Sequence, residues 1–553
     1  MLSANIFLLL FHAASALKNP VISGWNPDPA ILRVGKDYYL ATSTFEYFPG
    51  TPIYHSTDLA NWKLYSHAQT NAAQVQLYGV PTGAGVWAPT LSYINEMFYL
   101  ASMTRWTYDP VARVWPRVMW MSSKDLITWS EPIWAEPWGI DPALFQDPAT
   151  KKVYLNLMAP NNNVDRLWGI YQCEVDLMSG ICVGQYQALW NGTMPVNSTA
   201  RPEGPKMFLK DGWYYLLIAE GGTDDLHRAS IARSSSPQGP FEPAPNNPLI
   251  YNGQYGFDNL TVQSTGHATM FTTEQGDWYA TFLARRKINS SSPLGRETFF
   301  CKVDWTADGW PVFNNGKPIL LSEDIPGLPD AVPISRFVED FSGRIDMQWY
   351  QLRVPYTKNY EIDSRKGLIF RPNVFGLSDR DTPAALLRKQ KSLNMTFTAR
   401  LMDFPKPLGL RQSVGISAYL SELQHQDIYI EGCANSTGNC LVTWLIRNGT
   451  TSKTSLPLNR TSPGDISLHI RAEPLAYHLG FSTTQEAEPV WITSIESKWL
   501  AFPPAGYFVF TGASFAIFAS GGGEPWHSDG QEVGFSSVVE EYFEEKIPDY
   551  DKW

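Results

Sequence analysis

Three acids sit in turns marked by proline or glycine. They are Asp28 in Gly24-Trp25-Asn26-Pro27-Asp28-Pro29-Ala30, Asp141 in Gly139-Ile140-Asp141-Pro142-Ala143, and Glu203 in Arg201-Pro202-Glu203-Gly204-Pro205. Two more such turns carry Trp87 (Val86-Trp87-Ala88-Pro89-Thr90) and His267 (Thr265-Gly266-His267-Ala268). Three carboxylates brought together repel one another, so a fold that gathers them has a use for them. Hydrolysis of a glycosidic bond is one such use. One carboxylic acid protonates the leaving oxygen, one carboxylate acts on the anomeric carbon or on a water, and a third charge sets the pKa of the acid. Singly, each acid reads as a turn residue or a ligand to a structural cation. Asp28, clamped between two prolines, reads as a carboxylate on stiff, extended backbone.

Spacing separates these readings. A turn with Gly, Asp, Asn or Lys, then an aromatic, then apolar residues recurs around Tyr38, Phe98, Tyr154, Tyr214 and Tyr279, at intervals of 60, 56, 60 and 65 residues. Counting back, Asp28 lies ten residues before its aromatic, Trp87 eleven, Asp141 thirteen, Glu203 eleven and His267 twelve. Each unit thus carries a distinctive residue at a similar offset. Strand-built units of this size, with no amphipathic helix between them, predict a five-bladed β-propeller over residues 18–325. In a propeller the early strand of every blade lines the central channel, which would bring the five side chains together.

Residues 326–337 read as a linker rich in proline and acid. Beyond it, Leu393, Met395, Phe397, Ala399 and Leu401 alternate with polar residues, the two-residue period of a half-buried strand. Asp427-Ile428-Tyr429-Ile430, Leu441 to Ile446 and Tyr507-Phe508-Val509-Phe510 are further strand candidates. Residues 338–553 are therefore expected to form a β-sandwich that binds carbohydrate or buttresses the propeller, and the whole chain is all-β.

Composition agrees with these expectations. The 553 residues are 44% hydrophobic and 18% charged, as a well-cored protein of two or three domains should be. Aromatics reach 14%, with 21 Trp, which suits stacking on sugar rings as well as core filling. The net charge of −11 and the lack of a basic patch argue against nucleic-acid or anionic-membrane partners. Residues 1–16 read as a signal peptide, with an apolar run from Ile6 to Phe11 and a small-residue site at Ala14-Ser15-Ala16, although no Lys or Arg precedes the run. Eight Asn-x-Ser/Thr sequons, at Asn191, Asn197, Asn259, Asn289, Asn394, Asn435, Asn448 and Asn459, agree with secretion. Of five cysteines, Cys433 and Cys440 bracket a short loop and are expected to pair. Cys173 and Cys182 flank a turn and are a second candidate pair, leaving Cys301 as a buried thiol.

The chain resembles family 43 of the glycoside hydrolases, the β-xylosidases and α-L-arabinofuranosidases. The matching motifs are Asn26-Pro27-Asp28-Pro29, Ala41 to Gly50 (ATSTFEYFPG), Trp87-Ala88-Pro89, Arg201 to Pro205, Ala219 to Thr223 (AEGGT), Thr265-Gly266-His267 and Pro293 to Thr298 (PLGRET). Asp340-Phe341-Ser342-Gly343 through Trp349 resembles the start of the family's concanavalin A-like sandwich. The resemblance implies a five-bladed propeller and inversion of configuration, with carboxyls about 6.5–9.5 Å apart to admit a water. Asp28 would be the general base, Glu203 the general acid, and Asp141 the residue that raises the acid's pKa and orients it. Phe45 and Trp87 would wall the sugar subsite and Arg296 would bind the sugar hydroxyls. His267 matches a central histidine that in some members neighbours a calcium ion; no cofactor is required. Two departures bear on the sugar: Thr90 stands where members commonly have an acid, and Asp224 to Arg228 departs from the bacterial β-xylosidase pattern. With Pro52-Ile53-Tyr54-His55, these make the chain look closer to fungal-type arabinofuranosidases. The implied activity is a secreted, exo-acting hydrolysis of terminal α-L-arabinofuranosyl or β-D-xylosyl residues of plant cell-wall arabinoxylan and xylo-oligosaccharides. An endo-acting arabinanase and a non-catalytic carbohydrate-binding protein are the alternatives.

Overall fold

The computed structural model describes residues 17–545 and 547, apart from 110, 112–113, 161–167, 196–200, 435–437, 459–461, 484–487, 505 and 527–529. The signal segment 1–16 and sequons Asn197, Asn435 and Asn459 lie outside the described residues.

Five four-stranded antiparallel sheets follow one another along the chain, the blades of a propeller. Their innermost strands are Ala30–Val34, Gly85–Ile94, Ile140–Gln146, Glu203–Lys210 and Val262–Thr272. Apolar side chains from neighbouring blades fill the space between them, as where Trp120 of the second blade packs with Leu155 and Leu157 of the third. The ring is closed by the chain's start: Asn26 N–H donates to the Arg296 carbonyl at 2.8 Å, and Val21 N–H to that of Thr298 at 2.9 Å. The shared motif of the first two units folds alike in both. Ser56 and Ser123 each reach an aspartate two residues on at 3.0 Å, and Trp62 and Trp129 each donate to the carbonyl three residues back.

The rest is a sandwich of an eight-stranded and a six-stranded sheet. Met395–Leu401 alternates buried and half-buried residues as its sequence requires, and its apolar face joins the core between the sheets. The expected linker runs into this domain: Arg336–Glu339 is already a strand, paired with Val533–Tyr542. Tyr507 to Phe510 is a correction, being irregular backbone and not a strand.

The sandwich is docked on the first blade. Gln351–Leu352 pairs with Tyr47–Phe48, and Trp25 and Tyr47 share an apolar cluster with Tyr350, Leu352, Tyr419 and Tyr429. Lys389 Nζ donates to Asn26 Oδ1 at 2.9 Å, so a buried side chain of the sandwich grips the turn that bears Asp28.

Candidate active site

Every blade bends at the same place. The backbone turns left-handed at Asp28 (φ 56°), Ala88 (φ 39°), Asp141 (φ 56°), Gly204 (φ 61°) and His267 (φ 51°). In the second to fifth blades the bend coincides with a slip in register between the first two strands. Such bulges re-aim side chains, and here they turn them toward the propeller axis. Only one of the five bends is a glycine; the others hold a conformation that costs of order 1–3 kcal/mol per residue. This corrects the reading of Asp28, which stands on left-handed rather than extended backbone despite the proline after it.

The bends gather Asp28, Phe45, Trp87, Asp141, Glu203, His267 and Arg296 around one cavity, with about 340 Å³ of empty space, part of it open to solvent. All seven residues expected at the site line it, joined by Ile140, Thr223 and Phe510.

Asp28 is held from three directions. Ser43 Oγ donates to Oδ2 at 2.6 Å, Arg296 Nη1 donates to Oδ1 at 3.1 Å, and His267 Nδ1 lies 3.3 Å from Oδ1. Burial alone would raise its pKa; the Arg296 guanidinium, His267 and Ser43 outweigh it and hold the carboxyl well below the usual range. Ser43 Oγ in turn accepts from Ala88 N–H at 2.6 Å, tying Asp28 to the bend of the second blade.

Glu203 is the opposite case. Among the described residues none donates a hydrogen bond to its carboxyl. Burial, and then the charges of Asp141 and Asp28, push its pKa up to about 8 against the pull of Arg296 and Arg201. Glu203 therefore keeps its proton at neutral pH. Asp141 accepts from Gly204 N–H at 3.0 Å, which fixes it beside Glu203; its own pKa is raised, chiefly by burial. The buried Lys206, on the same strand as Glu203, is lowered to about 8 by burial and partly restored by Asp141 and Asp28.

Phe45, Trp87 and Phe510 form an aromatic wall, with Phe510 5.7 Å from Phe45 and 5.3 Å from Trp87 between centroids. The Phe510 carbonyl accepts from Arg296 Nε and Nη2 at 3.3 and 3.2 Å. The sandwich thus supplies part of the pocket and part of the grip on its arginine. Sequence reasoning missed Phe510, Thr223, Ile140 and the role of Ser43, although Ser43 and Thr223 lie inside quoted motifs.

Calcium fits poorly among these residues. His267 Nε2 is buried without a hydrogen-bond partner, so one donor is free. Among the described residues no three His, Cys, Asp or Glu side chains cluster to hold a metal, while calcium takes six to eight oxygens. Thr90, where an acid was noted to be common, adds no charge. Both expected cysteine pairs, Cys433–Cys440 and Cys173–Cys182, are disulfides, and Cys301 is a buried free thiol in the fifth blade.

Comparison with known proteins agrees with this geometry. A family model described as glycosyl hydrolases family 43 matches residues 17–311, and a beta xylosidase C-terminal concanavalin A-like domain matches 338–529. The chain is 31% identical over 530 residues to the non-reducing end alpha-L-arabinofuranosidase BoGH43B of Bacteroides ovatus, covering 94% of each chain. It is 33% identical over 421 residues to a beta-xylosidase of Bacillus subtilis, covering 73% of this chain and 77% of that one. The solved structure of a xylan beta-1,4-xylosidase from Bacillus halodurans superposes with a TM-score of 0.86 at 29% identity, over 95% of this chain and all of that one.

Proposed function

The chain belongs to family 43 of the glycosyl hydrolases and is a glycoside hydrolase, and we propose that it is a secreted, inverting exo-enzyme. It removes terminal pentose, α-L-arabinofuranosyl or β-D-xylosyl, from arabinoxylan and its oligosaccharides. The observation that carries this reading is the gathering of three carboxyls around one pocket, with Asp28 held by Arg296, His267 and Ser43 and Glu203 left without a donor among the described residues; burial and the neighbouring carboxylates push the Glu203 pKa up, while Arg296, His267 and Ser43 hold that of Asp28 down. Asp28 takes a proton from a water as that water's oxygen bonds to the anomeric carbon. Glu203 gives its proton to the glycosidic oxygen as the bond from that oxygen to the anomeric carbon breaks. Solvent then reprotonates Glu203 and deprotonates Asp28, and no cofactor takes part. Arg296, anchored on Phe510 and Asp28, is placed to bind sugar hydroxyls, and the aromatic wall packs on the ring.

Exo action is supported by the small pocket and by relatives named for terminal pentose release. Secretion is supported by the apolar leader and the sequons. The test is to supply the purified protein with aryl β-xyloside, aryl α-arabinofuranoside and arabinoxylan, and to follow the first-formed product by NMR. Free pentose of inverted configuration is expected. A product of retained configuration, or internal cleavage of the polymer, would overturn the proposal.

A further inference from the structure

The mouth of the funnel has two unlike sides. Toward the first, second and fifth blades the sandwich closes it: Phe508 stacks on Tyr108 at 4.7 Å, and Gly512 abuts Gly295. On the other side, segments next to the inner strands of the second, third and fourth blades carry three tryptophans and an arginine. Trp138 stands two residues before Ile140, which lines the cavity. Trp168 pairs with Pro160 at the end of the third blade where Ile140 pairs with Met158. Trp115 stands two residues before Arg117, which pairs with Thr104 at the end of the second blade that bears Trp87. Arg201 stands two residues before Glu203. All four side chains therefore start from the active end of their blades.

They also touch one another in a row. Trp115 and Trp138 are stacked with centroids 4.6 Å apart and an angle of 25° between planes. Trp168 meets Trp138 edge-on at 6.4 Å, and the Arg201 guanidinium lies 4.8 Å over Trp168. A cluster that served only to pack loops would bury its rings, but Trp115 stays 39% exposed. The chemistry gives the direction. The acid must reach the glycosidic oxygen, so the leaving group departs on the Glu203 side, where the Arg201 guanidinium is near enough to act on the Glu203 carboxyl and lies over Trp168.

We propose that Trp115, Trp138, Trp168 and Arg201 form a ledge that binds the leaving-group portion of a pentose oligosaccharide, beyond the sugar that is released. The ledge rests on the glycosidase reading above. Sugar rings present C–H faces to the indoles, and Arg201 donates to hydroxyls nearest the scissile bond. The ledge would favour long leaving groups over short ones.

The test is the dependence of kcat/KM on chain length, measured with xylo-oligosaccharides of two to five residues. Arabinose-substituted xylo-oligosaccharides replace them if the aryl arabinofuranoside is the better small substrate. In the wild type kcat/KM is expected to climb about tenfold along the series, the gain of one or two aromatic contacts. In Trp115→Ala the climb is expected to flatten, and in Trp115→Tyr to return. A wild type without a climb, or an equal climb in Trp115→Ala, would overturn the ledge. Should Trp115→Ala fail to fold, Arg201→Gln and calorimetric binding of xylotetraose to Glu203→Gln decide: binding no tighter than that of xylose would overturn it. If neither aryl pentoside is cleaved, the glycosidase reading fails; cleavage without a climb sinks the ledge alone.

Discussion

The Asp28 side of the funnel and the Glu203 side differ in how many groups hold the carboxyl. Asp28 has a hydroxyl, a guanidinium and an imidazole within reach, and the turn behind it is gripped by Lys389 of the sandwich. Glu203 has the negative charges of Asp141 and Asp28 as neighbours and lines the same cavity. Two carboxyls in one cavity are thus driven to opposite protonation states by what surrounds them, which lets one act as base and the other as acid. The second domain contributes to the first side above all: Phe510 holds Arg296, and Arg296 holds Asp28.

The sharpest way to break this contrast is to neutralise each carboxyl in turn. Glu203→Gln should lower kcat/KM on an oligosaccharide by about 10²–10⁴-fold. On a dinitrophenyl pentoside, whose leaving group needs no proton, most of the loss should vanish. Asp28→Asn should lose as much on both substrates, since water activation is needed for each. Comparing kcat/KM across the two substrates reads this directly; rescue of Asp28→Asn by the better leaving group would reverse the assignments.

The next effect concerns the wall. Phe510→Ala should reduce kcat/KM roughly tenfold, as loss of an aromatic anchor does, and chiefly through KM. Arg296 should stay in place because its partner is the backbone carbonyl. A full loss of kcat with KM unchanged would mean that the ring positions the base and not the sugar. The smallest effect is at a distance. Lys389→Met removes one buried hydrogen bond to Asn26, worth about 1 kcal/mol, and should lower kcat severalfold with little change in KM. An unchanged kcat would show that the sandwich does not steady the Asp28 turn.

Much of the site was legible in the sequence because the bend and the hairpin after it stay ten to thirteen residues apart in all five blades. Asp28, Ala88 and Gly204 each stand ten residues before the repeat aromatic. Asp28, Asp141 and His267 occupy the bend itself, while Trp87 and Glu203 precede it by one, which explains the two offsets of eleven; the bends of the third and fifth blades lie thirteen and twelve residues before their aromatics. The backbone of Asp28 was misread because the residue before proline is steered toward extended geometry by local sterics. In the fold, bonds from Ser43 and Arg296 hold it left-handed. Phe510 was invisible for another reason. Tyr507 to Phe510 is a run of aromatic and β-branched residues of the kind strands favour, and its Phe508 and Phe510 rings stack at 6.1 Å. They face Tyr108, Phe45 and Trp87 of the propeller instead of a sheet, and no local pattern records partners about four hundred residues away.

The most direct measurement is the pH dependence of kcat/KM for wild type and Glu203→Gln. Glu203, its pKa raised, is protonated below about pH 8 and loses its proton as the pH rises through that value. Asp28, its pKa lowered, stays ionised until the pH falls below the usual carboxylate range. Wild type should therefore be active across a broad plateau, with an alkaline limb near pH 8 that disappears in Glu203→Gln. An alkaline limb that persists unmoved in Glu203→Gln would contradict the assignment of Glu203 as the acid.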